Sequence, residues 1–376
     1  MSPTLGVKLV SYFLVEVDET VRKHFTVTEW KVQYGTLTYV IRDEDTKERF
    51  IRLYFELNEK GYLPILRSEN GKKVLRIFIR RREPPRHNPI WNLVLLIATM
   101  ATVILAGYLF TTGEVYNVVD PTFGEQRMLH MLAYVASIFF VLGTHELGHK
   151  IACMRHHLKS TPPYFIPGPP MIGGSLGAVM IQETPILNRD QLFDVGLLGP
   201  LLGFVASIIV TLLGFSLSYV ISIDVAQSLS EQGLASPLSV EPLLFTLIGT
   251  RIATLFLQLG PDQAILMHPV AFAGWVGMLI TFLNALPVGQ LDGGHVVRAA
   301  LGPQKHKIVS MIAIAIMVIT GFIMMALLAL VILTTRPHPG PLDDVSSLSR
   351  SRKSLFPFLL VICGLCFTSL FNPVVF

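Results

Sequence analysis

Apolar runs long enough to cross a bilayer recur along this chain, and they restrict the folds open to it. Of its 376 residues, 51% are hydrophobic and only 15% are charged, a balance too apolar for a soluble protein with one or two cores. An apolar helix of about 20 residues spans the hydrocarbon core of a membrane. We therefore predict a mainly α, polytopic membrane helix bundle of about six spans. The spans are expected at 91–110, 128–152, 193–222, 265–287, 308–333 and 355–373.

The first 88 residues differ from the rest, because they are charged and periodic. Residues 26–42 alternate apolar and polar side chains around a glycine, as paired strands do. Residues 47–60 have helical spacing, and residues 72–82 alternate again. We expect a small soluble, cytoplasmic α+β domain over 1–88, followed by a membrane-embedded domain over 89–376.

Charged residues that flank the apolar runs predict which side each loop faces, because Lys and Arg stay cytoplasmic. The bridge 80–89 and the loop 150–159 are basic and are predicted to be cytoplasmic, whereas 111–127 has three acidic residues against one Arg and is predicted to be outside. Six crossings then put both termini in the cytoplasm. The basic residues at 349–353 do not fit, since six crossings leave them outside. The N-terminal residues show no transit-peptide pattern, so we expect a multi-pass protein of a prokaryotic cell membrane.

Two histidines and a glutamate stand inside the second apolar run, in the sequence 145-HELGH-149. His145 and His149 are four residues apart, so on a helix they share one face and can bind one metal ion. Neutral imidazoles suit zinc, and a catalytic zinc site needs a third protein ligand and an open position. Glu146 could accept the proton of an attacking water. Because ionisable side chains are costly at membrane depth, we interpret the motif as a metal site rather than a chance match.

A third ligand is expected on another helix at the same depth, and 284–302 offers one candidate. Pro287 cannot continue a helix and Gly289 permits a turn, which indicates a broken helix. A membrane tolerates such a break only where it is buried in protein or lines a watery cavity. Asp292 is the only acid in the break. It could cap the helix that begins near His295 or bind the metal, and we favour the ligand because an aspartate at membrane depth calls for a cation.

The weakly apolar stretch 241–260 must not cross the membrane if these ligands are to meet. His145 and His149 lie near the cytoplasmic end of the second run, and one extra crossing would bring Asp292 out on the opposite side. We therefore expect 241–260 to be re-entrant or to lie along the interface, with Arg251 reaching water.

HELGH within a membrane helix, followed by the pattern N-x-x-P-x-x-x-x-D-G at 284–293, resembles the site-2 protease family of intramembrane zinc metalloproteases, peptidase family M50. The likeness covers about residues 60–376 and is greatest to the archaeal and plastid branch that includes the ethylene-dependent gravitropism-deficient proteins. The resemblance implies one zinc ion per chain, bound by His145, His149 and Asp292, with Glu146 as the general base and Asn284 holding the substrate peptide or its oxyanion.

The resemblance implies an intramembrane zinc endopeptidase, which cuts a peptide bond within or near a transmembrane segment of a membrane-protein substrate. Its expected partners are that substrate and the lipid bilayer. A net charge of +4 gives nucleic-acid binding no support. A metal transporter with the same ligands and a catalytically silent membrane scaffold are the alternatives. Residues 1–88 could gate access, recognise substrate tails or only stabilise the fold.

Two glycine-rich stretches have more than one interpretation. Residues 171–183 (MIGGSLGAVMIQE) alternate weakly and are too short and glycine-rich for a span. They predict either an edge strand or hairpin, to which an extended substrate could add, or a plain re-entrant loop. Gly196, Gly199 and Gly203 have the spacing that permits close helix packing, and we expect packing rather than catalysis. We do not expect His295 to bind the metal, although it could contact a ligand.

Overall fold

The computed structural model of the protein has an N-terminal sheet domain and a helical membrane part. The residues that it describes are 15–33, 36–80, 88–112, 114–234, 238, 241–255, 260, 262–335 and 338–369. Most of the basic bridge at 80–89, on which part of the predicted orientation depends, lies outside the described residues. The end of the predicted span 355–373 also lies outside them.

The N-terminal domain is a four-stranded antiparallel sheet packed against two helices. Its elements are α1 (15–24), β1 (Val27–Gln33), β2 (Thr36–Ile41), α2 (Lys47–Glu59), β3 (Tyr62–Glu69) and β4 (Lys72–Ile79). The strands lie in the order β1-β2-β4-β3. Alternate side chains of β2, Leu37 and Tyr39, are buried in one core with Phe50 and Leu57 of α2. The predicted α+β character of this region is confirmed.

The membrane part is mostly helical. Its elements are α3 (Pro89–Thr112), α4 (Glu114–Val119), α5 (Arg127–Arg155), β5 (Tyr164–Pro167), a 3₁₀ turn (Pro170–Ile172), β6 (Ser175–Val179), α6 (Arg189–Ser216), β7 (Tyr219–Ser222), α7 (Ile223–Glu231), β8 (Glu241–Pro242), α8 (Leu243–Leu255), β9 (Gln263–Leu266), α9 (Pro269–Ala285), α10 (Asp292–Ile319), α11 (Ile323–Thr335), α12 (Arg350–Cys366) and β10 (Thr368–Ser369).

Three helical stretches in the described part of the chain are long and apolar enough to cross a membrane, at 89–119, 127–155 and 189–216. The protein is therefore a membrane protein, although six such spans are not confirmed. Asn92 Nδ2 donates to the carbonyl of Pro162 at 2.8 Å, which joins the start of α3 to the segment between α5 and β5. We call this end of the bundle (88–92, 155–163 and 186–190) the proximal end, and the opposite end (120–127, 216–222 and 262–268) the distal end.

The glycine-rich stretch between α5 and α6 is a β-hairpin, which is one of its two predicted forms. β5 pairs antiparallel with β6, and the connecting turn reaches into the bundle. Thr102 Oγ1 of α3 donates to the carbonyl of Gly174 at 2.6 Å. Gly173 and Gly174 have φ values of 101° and 80°, which other residues rarely adopt. The two glycines therefore allow the turn to bury itself against α3.

The segment that contains α8 returns to the side from which it leaves, as both predicted alternatives for 241–260 require. β7 pairs antiparallel with β9 at the distal end, so the chain between them leaves and returns on one side. Within this segment β8 pairs with β10 after α12, and Leu243 N donates to the carbonyl of Phe367 at 3.0 Å. Residues 256–259 and 261 of this segment lie outside the described part.

The apolar run 308–333 is not the single crossing we predicted, because α10 ends and α11 begins within it. Near its start, Ser310 Oγ donates to the carbonyl of Pro287 at 2.9 Å. Just after it, His338 Nε2 lies 2.6 Å from His295 Nδ1. Both ends of this helical hairpin thus lie on the same side. Length and hydropathy are alike for one long helix and for a helix pair, so the sequence pattern did not distinguish them.

The basic residues at 349–353 lie at the proximal end, not on the far side where six crossings would leave them. Arg352 Nε donates to Asp194 Oδ1 at 2.7 Å, and Ser349 N donates to Asp190 Oδ1 at 2.9 Å. The helical hairpin of α10 and α11 removes one of the six predicted crossings. Without that crossing, residues 349–353 are on the same side as the other basic stretches. The predicted return of the C terminus to the cytoplasm loses its support for the same reason.

Residues 338–349, which we call the strap, run between the N-terminal domain and the membrane helices. Leu66 N of β3 donates to the carbonyl of Leu342 at 2.9 Å. Leu342 N in turn donates to the carbonyl of Ile186 at 2.9 Å. The strap therefore continues the edge of the N-terminal sheet and ties it to the segment that precedes α6.

Candidate metal centre

The two histidines of the HELGH motif face one another on α5. His145 and His149 are 5% and 9% exposed, and their Nε2 atoms lie 3.1 Å apart. His149 Nδ1 donates to the carbonyl of Val195 on α6 at 2.8 Å. Because a neutral imidazole carries one proton, this bond leaves His149 Nε2 with a free lone pair. That nitrogen is therefore prepared to bind a cation.

Asp292 reaches the two histidines from the break between α9 and α10. Its Oδ2 lies 3.2 Å from His145 Nε2 and 3.3 Å from His149 Nε2. Asp292 is the first residue of α10, and the N-cap position belongs to Leu291. The alternative that Asp292 is the N-cap is therefore wrong. Gly289, with a φ of 54°, makes the turn that brings the aspartate to this depth.

The donor atoms of these three residues fit a zinc ion in type and in spacing. Their ligand atoms all lie within 4.8 Å of one another, and the separations given above are 3.1–3.3 Å. A tetrahedral zinc ion with bonds of about 2.0–2.1 Å holds its ligand atoms about 3.3 Å apart. Two imidazoles and one carboxylate also form a known set of catalytic zinc ligands. The cluster can thus hold one metal ion and leave a coordination position open.

Glu146 and Asn284 line the same cavity as the three candidate ligands. The cavity has a volume of about 690 Å³. Glu146 is 5% exposed, and its Oε2 has no hydrogen-bond partner among the described residues. It also borders a second cavity of about 480 Å³, which Lys150 and Ser160 line. All five residues singled out from the sequence therefore meet at one place.

Three glycines of α6 make room for the candidate ligands. A Cβ on Gly199 would overlap the ring of His149, and a Cβ on Gly203 would come 2.9 Å from His145 Nδ1. A Cβ on Gly196 would come 2.7 Å from the backbone oxygen of Asp292. These short distances agree with the predicted role of the three glycines in close helix packing. The packing has a specific result, because each glycine faces one of the three ligand residues.

The cavity has a wall that sequence reasoning missed. His338, Pro339, Gly340 and Leu342 of the strap line it on the side of His295. The only signal in the sequence is the turn-like HPGP at 338–341, which nothing links to the HELGH motif. His295 itself lines the cavity but does not lie among the three grouped candidate ligands.

A family model described as peptidase family M50 matches residues 133–328. The chain is 31% identical over 255 residues to the "Probable zinc metalloprotease EGY1, chloroplastic" of Arabidopsis thaliana, which covers 65% of this chain and 45% of the relative. It is 29% identical over 211 residues to the "Probable zinc metalloprotease EGY2, chloroplastic" of Oryza sativa subsp. indica, with coverages of 55% and 36%.

A third relative is the "Probable zinc metallopeptidase EGY3, chloroplastic" of Arabidopsis thaliana, 23% identical over 242 residues, or 61% of this chain and 39% of the relative. The chain spans less than half the length of these curated relatives. No solved structure matches it. The family match covers more than half of the 376 residues and includes all five residues of the candidate centre. The chain belongs to peptidase family M50.

Proposed function

We propose that this protein is a zinc endopeptidase that cuts a peptide bond within or near a transmembrane segment of a membrane-protein substrate. The observation that carries the proposal is the convergence of His145, His149 and Asp292, at 3.1–3.3 Å, beside Glu146. The Oε2 atom of Glu146 has no hydrogen-bond partner among the described residues. His145 lies ten residues before the end of α5, a distance of about 15 Å along the helix. The reaction would thus take place well inside the bundle, and the names of the relatives support zinc as the metal.

Each side chain around the metal centre has a separate role in the proposed reaction. A bound zinc ion supplies a Lewis acid that polarises the scissile carbonyl and lowers the pKa of water. Glu146 accepts a proton from the attacking water at its carboxylate and passes it to the leaving amine. The bond from His149 Nδ1 to Val195 holds the ring in the orientation that the site needs. Asn284 offers its amide N–H to the oxygen that becomes negative during the attack.

The hairpin beside the centre suits the delivery of an extended substrate. Ala178, Val179 and Met180, at the end of β6, line the same cavity as Glu146. One edge of β6 is paired with β5, and no other described strand pairs with its second edge. A peptide can add to such an edge through its backbone. A helical substrate must first unwind, because its carbonyls are otherwise bonded within the helix, so weak helix formers near the cut should favour cleavage.

We place the proximal end in the cytoplasm, with the N-terminal domain and the strap. The basic stretches 150–159 and 349–353 both lie at this end, which is the side that Lys and Arg prefer. The division of the chain at residues 88 and 89 and the prokaryotic cell membrane stay predictions, since the plant relatives are named as chloroplastic.

Metal analysis combined with a cleavage assay on purified protein tests this function. The substrate is a quenched transmembrane peptide. Glu146→Gln keeps the size of the side chain but accepts no proton, so bound zinc should stay near the wild-type level while turnover falls by ~10²–10⁴. Asp292→Ala removes a ligand, so zinc and activity should be lost together. Asp292→Asn should bind zinc more weakly and regain some activity at high zinc.

A metal transporter and a silent scaffold predict different results. Zinc uptake into vesicles without cleavage of any transmembrane peptide would favour the transporter. Zinc content near wild type in Asp292→Ala would show that Asp292 is not a ligand. Wild-type turnover in Glu146→Gln would exclude Glu146 as the base.

A further inference from the structure

The strap is fixed in place by bonds on both of its sides. Arg67 of the N-terminal domain donates from its NH1 to the carbonyls of Pro341 and Leu342, at 2.9 and 2.7 Å. Asp344 is held by Arg298 of α10, with bonds of 3.0 and 2.6 Å. A Cβ on Gly340 would overlap the guanidinium of Arg298. The backbone of the strap therefore has one defined position beside the cavity.

Hydrogen bonds that start in the strap determine where two histidines carry their protons. Gly340 N donates to His338 Nδ1 at 2.9 Å, so this nitrogen carries no proton. A neutral His338 must then carry its proton on Nε2, which lies 2.6 Å from His295 Nδ1. His338 is consequently the donor and His295 Nδ1 the acceptor. The single proton of a neutral His295 must lie on Nε2.

His338 is neutral in this position. Burial, together with the neighbouring rings of His295 and His306, lowers the pKa of His338 to about 2. A second ring proton would also lie on Nδ1, where it would clash with the N–H of Gly340. The direction of the chain of bonds, from Gly340 through His338 to His295, therefore has no reasonable alternative near neutral pH.

We propose that His295 is a hydrogen-bond donor to a carbonyl oxygen of the bound peptide, and that His338 is the positioning residue that fixes its ring. The proposal rests on the peptidase function given above. His295 lines the cavity with Glu146, Asn284 and Asp292, and its Nδ1 is occupied by the strap. Its Nε2–H is the donor left for a molecule in the cavity. A donor placed beforehand stabilises negative charge on a carbonyl oxygen better than water, which must first reorient.

The tautomer of His295 can be measured without any cleavage. Full-length protein labelled with ¹⁵N-histidine would be compared with His295→Phe to assign the ring nitrogens among its 11 histidines. We expect a protonated Nε2 and an unprotonated Nδ1 on His295, in zinc-loaded and metal-free protein alike. In His338→Phe the preference should disappear and both tautomers should be populated. A proton on His295 Nδ1 in the wild-type protein overturns the proposal.

Kinetics then test whether His338 acts through His295. His295→Phe should lower kcat by ~10², within the range for the loss of one such donor, with a much smaller change in KM. His338→Phe should lower kcat by about tenfold, as the loss of one hydrogen bond does. In the double variant His338→Phe should have no further effect. His338→Gln, whose amide can donate from a similar place, should recover most of the loss. His157→Asn, at an exposed histidine, is the control.

The possible failures are distinguishable. Independent, multiplying effects of the two substitutions would show that His338 does not work through His295. Loss of zinc in His295→Phe would make His295 a ligand and contradict the proposal. If no transmembrane peptide is cleaved at all, the peptidase function fails, whereas the tautomer of His295 is still measured.

Discussion

At the scale of single residues, the metal centre depends on glycines, which have no side chain, as well as on the candidate ligands. Gly196, Gly199 and Gly203 bring the backbone of α6 against the candidate ligands, and Val195 of the same helix accepts the bond that orients His149. Any side chain at these three glycines would occupy space that the ligands need. The glycine spacing on α6 is therefore part of the site, even though no glycine contacts a metal.

Gly199→Ala should weaken metal binding without removing a ligand. The added methyl group would overlap the His149 ring and move it away from Asp292. Because substitutions that misplace a ligand commonly cost ~10–100-fold in metal affinity, we expect a loss of that size in competition with a chelator. Gly143→Ala is the matched control, since a Cβ there meets nothing within 4 Å. Equal zinc affinity in the two variants would mean that α6 does not shape the centre.

At the scale of elements, the β5–β6 hairpin and the break between α9 and α10 place backbone that is not helical beside the site. Such backbone is tolerated in a membrane only where protein or a watery cavity surrounds it. The hairpin turn meets this condition through its contact with Thr102 of α3. Both irregular elements border the cavity of Glu146, with Ala178 on one and Asp292 on the other. The irregular elements thus bring Asp292 and the edge of β6 to the residues that the regular helices α5 and α9 carry.

Proline substitutions in β6 test whether its edge binds substrate. Successive residues of a strand direct their N–H groups to opposite edges. Proline at 178 and proline at 179 therefore each remove a donor from a different edge. One variant should lose cleavage while it keeps about one zinc per chain, as a mononuclear site requires. The other should mainly weaken the hairpin and lower thermal stability. Full cleavage by both variants would rule out strand addition at β6.

At the scale of the whole molecule, the strap joins the N-terminal domain to the metal centre. Leu342 of the strap and Leu187, which precedes α6, belong to the hydrophobic core of the N-terminal domain. On its other side, Asp344 pairs with Arg298, one turn beyond His295 on α10. The N-terminal domain therefore contacts the wall of the cavity directly. Among the roles predicted for residues 1–88, these contacts favour stabilisation of the fold.

Asp344→Asn should destabilise the protein strongly. Arg298 is 3% exposed, and both it and Arg189 donate to the Asp344 carboxylate. Loss of the negative charge leaves a buried guanidinium uncompensated, which typically costs ~3–5 kcal/mol. Thermal unfolding in detergent measures the effect. Asp45→Asn, at an exposed loop position, should change stability by less than about 0.5 kcal/mol. Similar unfolding temperatures for the two variants would contradict a structural role for the strap.

Labelling of single cysteines tests the arrangement of the ends. Cysteines at Lys72, His157 and Ser351, all exposed, should react from one side of the membrane in a background without the native cysteines. A cysteine at Asp224, in α7 at the distal end, should react from the other side. Reaction of position 351 from the same side as 224 would restore the run 308–333 as a single crossing.

The features that the sequence determined by itself are local or compositional. Apolar runs show that the chain enters a membrane, and the spacing of His145 and His149 places both on one face of a helix. Alternation in the first 88 residues predicts the sheet. The depth argument also selected Asp292 as the candidate third ligand and predicted that 241–260 does not cross the membrane, because a shared metal restricts topology.

Only the tertiary structure decided which distant segments meet. His338 contacts His295, which is 43 residues away in the sequence. The carbonyl of Leu342 accepts a hydrogen bond from Leu66 N of the N-terminal domain. No local sequence pattern therefore predicts the position of the strap. The same holds for the run 308–333, whose hydropathy fits one crossing or a hairpin equally. Periodicity and capping report on contacts a few residues apart, whereas these contacts depend on how whole elements pack. Tertiary packing therefore decided the walls of the cavity and the helical hairpin within 308–333, while the sequence alone named the residues at the centre of the cavity.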